Sequence, residues 1–459
     1  MKAAVLAVLS NRVYRHLFLA QLIALVGTGL ATVALGLLAY DLAGGNAGAV
    51  LGTALAIKMA AYIGVAPVVG AFSDRLPRRA LLVAMDLVRA AVALCLPFVD
   101  QIWQIYILIF ALQSASAAFT PTFQATIPEV LPDERDYTRA LSLSRLAYDM
   151  ESLTSPILAA ALLTIINFHW LFAGTAVGFV CSALLVVSVA LPAVKRASDA
   201  RTGIYEKTTR GLRIYLKTPR LRGLLALTFA SAAASSMVIV NTVVIVRDQL
   251  GRSQSDVAIA LAAFGGGSML AALLLPRVLD RISDRRVMIF AAAILAVALS
   301  AMTIVTLTSA DAPGYWIALL AGWAVLGVAY STSVTPTGRL LKRSAQSDDR
   351  PTLFAAQFAL SHACWLVTYP LAGWLGAQSG QIAAFGAMAA IAAAGTIAAA
   401  IIWPRVDVDA LTHSHDDLPD DHPHLVEAHG GKRNAAHGFT IDPLHTRWPV
   451  SNDLARRRP

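Results

Sequence analysis

Hydrophobic residues run along this chain in long blocks, without the one-sided or alternating patterns of a soluble protein. Windows of about 19 residues rise and fall twelve times. They predict apolar helices over residues 14–40, 49–72, 80–99, 103–127, 138–166 and 169–193, and again over 223–246, 256–279, 287–308, 315–336, 352–375 and 381–403. A helix rising about 1.5 Å per residue crosses a hydrocarbon layer in roughly 20 residues, so each block can span a membrane. Polar connections between the blocks are short, and nothing of domain size interrupts them before residue 403. The pattern predicts an all-α polytopic membrane protein with twelve transmembrane helices. It excludes a soluble enzyme held by a single anchor. The first block is longer than a signal-peptide core and lacks a small-residue cleavage site, so it reads as a retained helix.

Composition agrees with the pattern: 57% of the 459 residues are hydrophobic, 14% are charged and the mean hydropathy is +0.63. The formal charge of +9 would suit a nucleic-acid partner only if the cations formed one soluble stripe. They do not. Twenty-five Lys and Arg fall in connections on one side of the twelve-span plan, against two, Arg247 and Arg252, on the other. By the positive-inside rule this expects both termini in the cytoplasm of a multi-pass protein in the bacterial inner (plasma) membrane. Membrane lipid is then a partner, and nucleic acid is not. Nine of the cations lie in the one long connection, residues 194–222, whose +7 suits a cytoplasmic linker against anionic lipid. Cys95, Cys181 and Cys364 all sit inside apolar blocks and form no C-x-x-C pair, so no disulfide or zinc framework is implied.

The two halves repeat. GAFSDRLPRR (70–79) follows the second block and PRVLDRISDRR (276–286) follows the eighth, so Asp74-Arg75 recurs as Asp280-Arg281 after 206 residues. AFTPT (118–122) and SVTPT (333–337) recur after 215. The expected organisation is a six-helix bundle (1–193), the basic linker (194–222), a second six-helix bundle (223–403) and a tail (404–459). A duplicated unit of this kind places a substrate site between its halves near the midplane.

With these motifs in place the chain resembles the major facilitator superfamily. The likeness rests on G-x-x-x-D-R-x-x-R-R between spans 2 and 3, its weaker copy between spans 8 and 9, and the basic central linker. PTFQATIPEVLPDERDYTRALSLSRL (121–146) is similar to the segment between spans 4 and 5 in the branch exporting drugs, macrolides and siderophores by proton antiport. The resemblance implies a transporter, not an enzyme, probed from both sides in turn, with Gly70, Asp74, Arg75, Arg78, Arg79, Asp280 and Arg281 as gate residues. It also implies that spans 2, 5, 8 and 11 flank a central cavity.

Charge inside hydrocarbon is costly and therefore points to function. Counted at about 1.5 Å per residue, Lys58 lies about 13 Å into span 2, Asp149 about 16 Å into span 5 and His362 about 15 Å into span 11. All three sit near mid-bilayer on helices expected to line the cavity. Arg145 and Asp149, at i and i+4, could instead neutralise each other. Glu151 is about 200° around the helix from Asp149, so only one of the two carboxylates is expected in the cavity. Either could be the group whose protonation competes with substrate. His362 belongs to a residue type that titrates near neutrality and ligates metals. Gln21 and Gln113 offer polar lining, whereas Asp86 and Arg89 read as a packing ion pair.

The tail carries its own chemistry. Seven of the ten histidines follow residue 412, and HSHDDLPDDHPHLVEAH (413–429) contains no Lys or Arg. His413, His415, Asp416, Asp417, His422, His424 and His429 supply imidazole and carboxylate at spacings that suit a divalent transition metal, the one cofactor-like group the sequence suggests. Low apolar content expects this tail to be disordered, although FTIDPLHTRWP (439–449) has aromatic residues able to dock on the cytoplasmic face. In layout the chain is similar to nickel-resistance exporters of the superfamily. The expectation is therefore a monomeric, proton-driven exporter working by alternating access, its substrate a divalent metal such as nickel or a metal chelate. The alternatives are a multidrug, macrolide or siderophore exporter with a regulatory tail, and a membrane metal sensor with a degenerate transporter core. No Walker A loop is present, which disfavours coupling through ATP.

Overall fold

The computed structural model describes residues 7–72, 77–191, 204–310, 312–346, 349–405, 410–414, 434–441, 444, 445 and 448, some of them by backbone alone. Thirteen α-helices occur among them. Six form the first half: α1 (Arg12–Ala43), α2 (Ala47–Phe72), α3 (Arg78–Cys95), α4 (Ile102–Val130), α5 (Glu134–Leu162) and α6 (His169–Val187). A linker helix follows, α7 (Ile204–Lys217). The second half holds α8 (Pro219–Val244), α9 (Gln254–Leu279), α10 (Asp284–Ser309), α11 (Tyr315–Val334), the short α12 (Thr337–Arg343) and α13 (Arg350–Ile402). Local signals start several of these helices: the Asn11 side chain accepts from the Tyr14 backbone N–H at 3.1 Å, and Ser253 with Asp256 forms a capping box at α9.

Among the described residues, nine helical stretches are long and apolar enough to cross a membrane. Two of them, 12–65 and 352–402, are long enough to cross twice, which accounts for eleven spans. The twelfth is α5, excluded from that set because its charged residues bring its average hydropathy near zero. Helices suit this role because every interior backbone group is bonded within the segment. Spans 11 and 12 run on as the single element α13, broken at Gly380, where φ 82° and ψ 168° are accessible to glycine and not to other residues.

The halves meet along two seams, α2 against α13 and α5 against α9. The first seam is tight at the end remote from the D-R-x-x-R-R loop. Gly52 of α2 lies against Gly373 of α13, where an added Cβ would stand 3.4 Å from the partner Cα. Beside it the Trp374 indole donates to the Thr53 hydroxyl at 3.1 Å. Asn241 of α8 is fully buried and donates to the Ala372 carbonyl at 3.1 Å, while Gln381 donates to Asn241 at 3.2 Å. These polar side chains seal the end of the seam by bonding to one another and to the backbone of α13.

The linker is not free of the bundle. Arg210 grips Asp349 with two bonds, of 2.6 and 2.9 Å, and the Tyr215 hydroxyl donates to Gln357 at 2.5 Å. Burial pushes the Tyr215 phenol above its ordinary pKa, which keeps that donor protonated. The helix is thereby fastened to the start of span 11.

The tail departs from the disorder expected of it. Residues 410–414 (β1) and 434–438 (β2) pair as an antiparallel ribbon with Leu411 opposite His437 and His413 opposite Ala435. Phe439 and Ile441 are then buried in the main apolar core, Phe439 packs edge-on to Trp448 at 5.1 Å, and the Arg220 guanidinium lies 5.3 Å over the Trp448 ring. Docking of three apolar side chains offsets the ordering cost that the polar composition alone could not meet. His415, Asp416, Asp417, His422, His424 and His429 lie outside the described residues.

Candidate functional site

Lys58 and Tyr62 are one turn apart on α2. The Lys58 ammonium and the Glu151 carboxylate of α5 lie near enough to act on each other electrostatically, and Lys58 also acts on His362 of α13. The Tyr62 ring stacks on the His362 imidazole at 5.2 Å and 21°, with Phe358 5.9 Å from Tyr62. His362 Nδ1 is 2.7 Å from the Phe358 carbonyl. A carbonyl oxygen only accepts, so Nδ1 carries the proton and Nε2 is left to receive one. Groups from spans 2, 5 and 11, hence from both halves, are brought together.

Room for Glu151 is made by Gly29 of α1. A Cβ there would collide with the Glu151 carboxylate and with the Ser155 side chain. Of the two carboxylates read in the sequence, it is Glu151 whose placement is described. For Arg145 and Asp149 only the helical backbone of α5 is described. Gln21 is buried and accepts from Ser144 at 3.0 Å, tying span 1 to span 5. Gln113 shares with Lys58 a small cavity of about 30 Å³, edged by Thr28, Thr32 and Ser116, wide enough for one or two waters.

The packing pair read at Asp86 and Arg89 is present. Asp86 is wholly buried, ion-paired with Arg89 and bonded by the Ser182 hydroxyl at 2.8 Å. The Arg89 guanidinium lies between Phe119 and Phe179, at 4.2 and 4.5 Å. Cys364 is buried, as its place in an apolar block suggests.

At the motif end, Asp74 and Arg75 lie outside the described residues, and Gly70 is within the last turns of α2. Arg78 pairs with Glu129 at the end of α4, and Arg79 donates to the Val187 carbonyl at the end of α6. In the second half Asp280 and Arg281 make no ion pair among the described residues. The charge contact there belongs to Asp284, which binds Arg339 and, at 3.3 Å, Arg343. Arg285 donates to the Trp403 and Ala400 carbonyls at 3.0 and 2.9 Å. Sequence reading missed Asp284 and Arg285, although both stand 206 residues beyond Arg78 and Arg79, the period already given by the motif. Among the described residues no cluster of three metal-ligating side chains occurs.

The sequence profile of the Major Facilitator Superfamily matches residues 17–239 and 224–428, one copy for each half. Macrolide efflux protein A of Streptococcus pyogenes is 26% identical over 152 residues, covering 31% of this chain and 37% of that protein. The uncharacterized MFS-type transporter YfiS of Bacillus subtilis is 23% identical over 218 residues, 46% of this chain and 51% of that one. The aligned segments therefore span only about a third to a half of those relatives. A bacterial homolog of the human lysosomal transporter Spinster, inward-facing and unoccupied, shares the fold with a TM-score of 0.67 at 12% identity, over 86% of this chain and 98% of that one. The nucleoside transporter NupG gives 0.65 at 13% identity, over 86% and 100%. Two matched halves, twelve spans and a shared fold agree: the chain belongs to the major facilitator superfamily of membrane transporters, which are not enzymes.

Proposed function

We propose that this transporter is a proton-coupled exporter working by alternating access, with Glu151 as the coupling carboxylate and Lys58 as its counter-charge. One observation carries the reading: Lys58 of span 2 and Glu151 of span 5 act on each other electrostatically, while Tyr62, one turn from Lys58, stacks on His362 of span 11. A proton on Glu151 cancels the pair and leaves Lys58 uncompensated beside the other half. Protonation therefore changes the energy of the contact between halves, which is what coupling to a rocking motion requires. The seal at Gly52, Gly373 and Asn241 supplies one closed end of the cycle. The charge distribution supports both termini in the cytoplasm, which would put that seal on the outer side.

For the cargo, the relatives described as macrolide efflux proteins favour a bulky organic compound. This reverses the order reached from sequence, where the tail put a metal first. The metal reading keeps one specific support, the H-x-H sequence of the tail at His413 and His415. Everted vesicles decide between them. Gradient-dependent uptake of a fluorescent macrolide without nickel or zinc supports the first, and the opposite pattern overturns it.

A further inference from the structure

At the arginine-rich end of the second half, a basin of about 530 Å³ is walled by Arg281, Arg285, Arg339, Arg343 and Arg405, with Asp280 and Asp284. Its volume falls in the range of about 300–1,000 Å³ usual for small-molecule sites. Five guanidinium groups against two carboxylates leave a surplus of three positive charges. The surplus is unevenly used. Asp284 occupies Arg339 and Arg343, and Arg285 is spent on the carbonyls at the end of α13. Arg281 and Arg405 have no hydrogen-bond or ion-pair partner among the described residues, and both are exposed. Guanidinium is the side chain best shaped to hold phosphate oxygens two at a time.

The surroundings identify where the phosphate comes from. Val278 and Ile282, one turn apart beside the basin, are 38% and 43% exposed, and Ile397 and Ile401 on the last turns of α13 are 60% and 78% exposed. In a membrane-spanning bundle such side chains meet acyl chains, so the basin opens at headgroup level between two greasy flanks. A basic pocket between helices at that depth is a lipid-headgroup site by its physics.

We propose that this basin binds the phosphate of one anionic phospholipid, held by Arg281 and Arg405, with its acyl chains along Ile282 and Ile401. The site ties the spans 8–9 turn to the end of span 12, and it gives Arg281 of the repeated motif a ligand in place of an ion pair. The proposal does not depend on the cargo or on proton coupling.

The test uses full-length protein in a non-ionic detergent, with bound copies counted by native mass spectrometry. The probes are dioleoyl-phosphatidylglycerol, dioleoylglycerol and glycerol 3-phosphate. One phosphatidylglycerol should remain on the wild type, with at least tenfold weaker retention by Arg281→Gln/Arg405→Gln. Arg281→Lys/Arg405→Lys should recover binding in part, keeping the charge while losing the paired hydrogen bonds. Arg213→Gln/Arg222→Gln, which removes two exposed linker cations, should bind like wild type. Equal phosphatidylglycerol retention by wild type and Arg281→Gln/Arg405→Gln overturns the site. Glycerol 3-phosphate binding as tightly as the lipid would assign the basin to a free anion, and equal retention of dioleoylglycerol would assign it to the acyl chains alone. Either result also overturns the proposal.

Discussion

Arg79 and Arg285 stand 206 residues apart and do the same work in the two halves. Arg79 donates to the Val187 carbonyl at the end of span 6, and Arg285 to the Trp403 and Ala400 carbonyls at the end of span 12. The last carbonyls of a helix have no intrahelical donor and carry its negative dipole end, so a cation there is doubly suited. The residues just before them have exchanged charge. Arg78 binds Glu129 in the first half, and Asp284 binds Arg339 in the second. Duplication has kept the links from the start of each half's third helix to the ends of its fourth and sixth while inverting the sign of one.

Removing either cap should loosen its own half only. Arg285→Gln and Arg79→Gln are each expected to lower the melting temperature in detergent by a few degrees, from the loss of charged hydrogen bonds of about 1.5–3 kcal/mol each, less at the exposed Arg79. The double variant should show the sum, because the sites are independent. Thermal unfolding of all three checks this, and a strongly non-additive double variant would contradict it.

Gly29 is required by contact, not by backbone angle. Gly29→Ala should disturb both fold and transport, costing about 1–3 kcal/mol as an overpacked site, because its Cβ collides with Glu151 and Ser155. Gly36→Ala on the same helix meets only Leu51 Cδ2 at 3.6 Å and should behave as wild type. Transport rate and melting temperature measured side by side separate the two.

Asp86 holds a buried cation in place. Asp86→Asn leaves Arg89 uncompensated between Phe119 and Phe179 and should destabilise the first half by about 3–5 kcal/mol. Asp86→Asn/Arg89→Met should recover much of the loss, since an apolar side chain suits that aromatic slot. Expression level and thermal unfolding report on both; a double variant no better than the single would show that the charge is not the cause.

Closure of the seal at Gly52 and Gly373 depends on small residues. Gly373→Leu should hold α2 and α13 apart, since even a Cβ there collides with the Gly48 carbonyl. Spin labels placed at Asn46 and Ser379 should report a longer mean separation, with transport reduced at least tenfold. An unchanged separation would show that the seal lies elsewhere.

Much of this was legible in the chain. All twelve spans follow from apolar blocks because a membrane demands them one by one, whatever the tertiary structure. Lys58 and His362 were visible for the same reason, as charges where charge is costly. The packing of Glu151 was not, because it depends on Gly29 on another helix, which makes room for its carboxylate. Asp284 was hidden by its neighbour Asp280, which matches the motif better yet makes no ion pair among the described residues. The ribbon of residues 410–414 and 434–438 left no local signal, since its strands are separated by 19 residues, too many for a hairpin turn to be read from sequence. The short α12 was missed because seven residues with only two adjacent leucines, Leu340 and Leu341, show no apolar period.

Glu151 as the coupling carboxylate is tested most directly by following protons. Everted vesicles carrying the wild type or Glu151→Gln are energised to an acidic lumen, and luminal pH is read with a fluorescent dye as a macrolide is added. The wild type should release luminal protons on addition of the compound, while Glu151→Gln should bind the compound and move no protons. Undiminished proton release by Glu151→Gln would contradict the account.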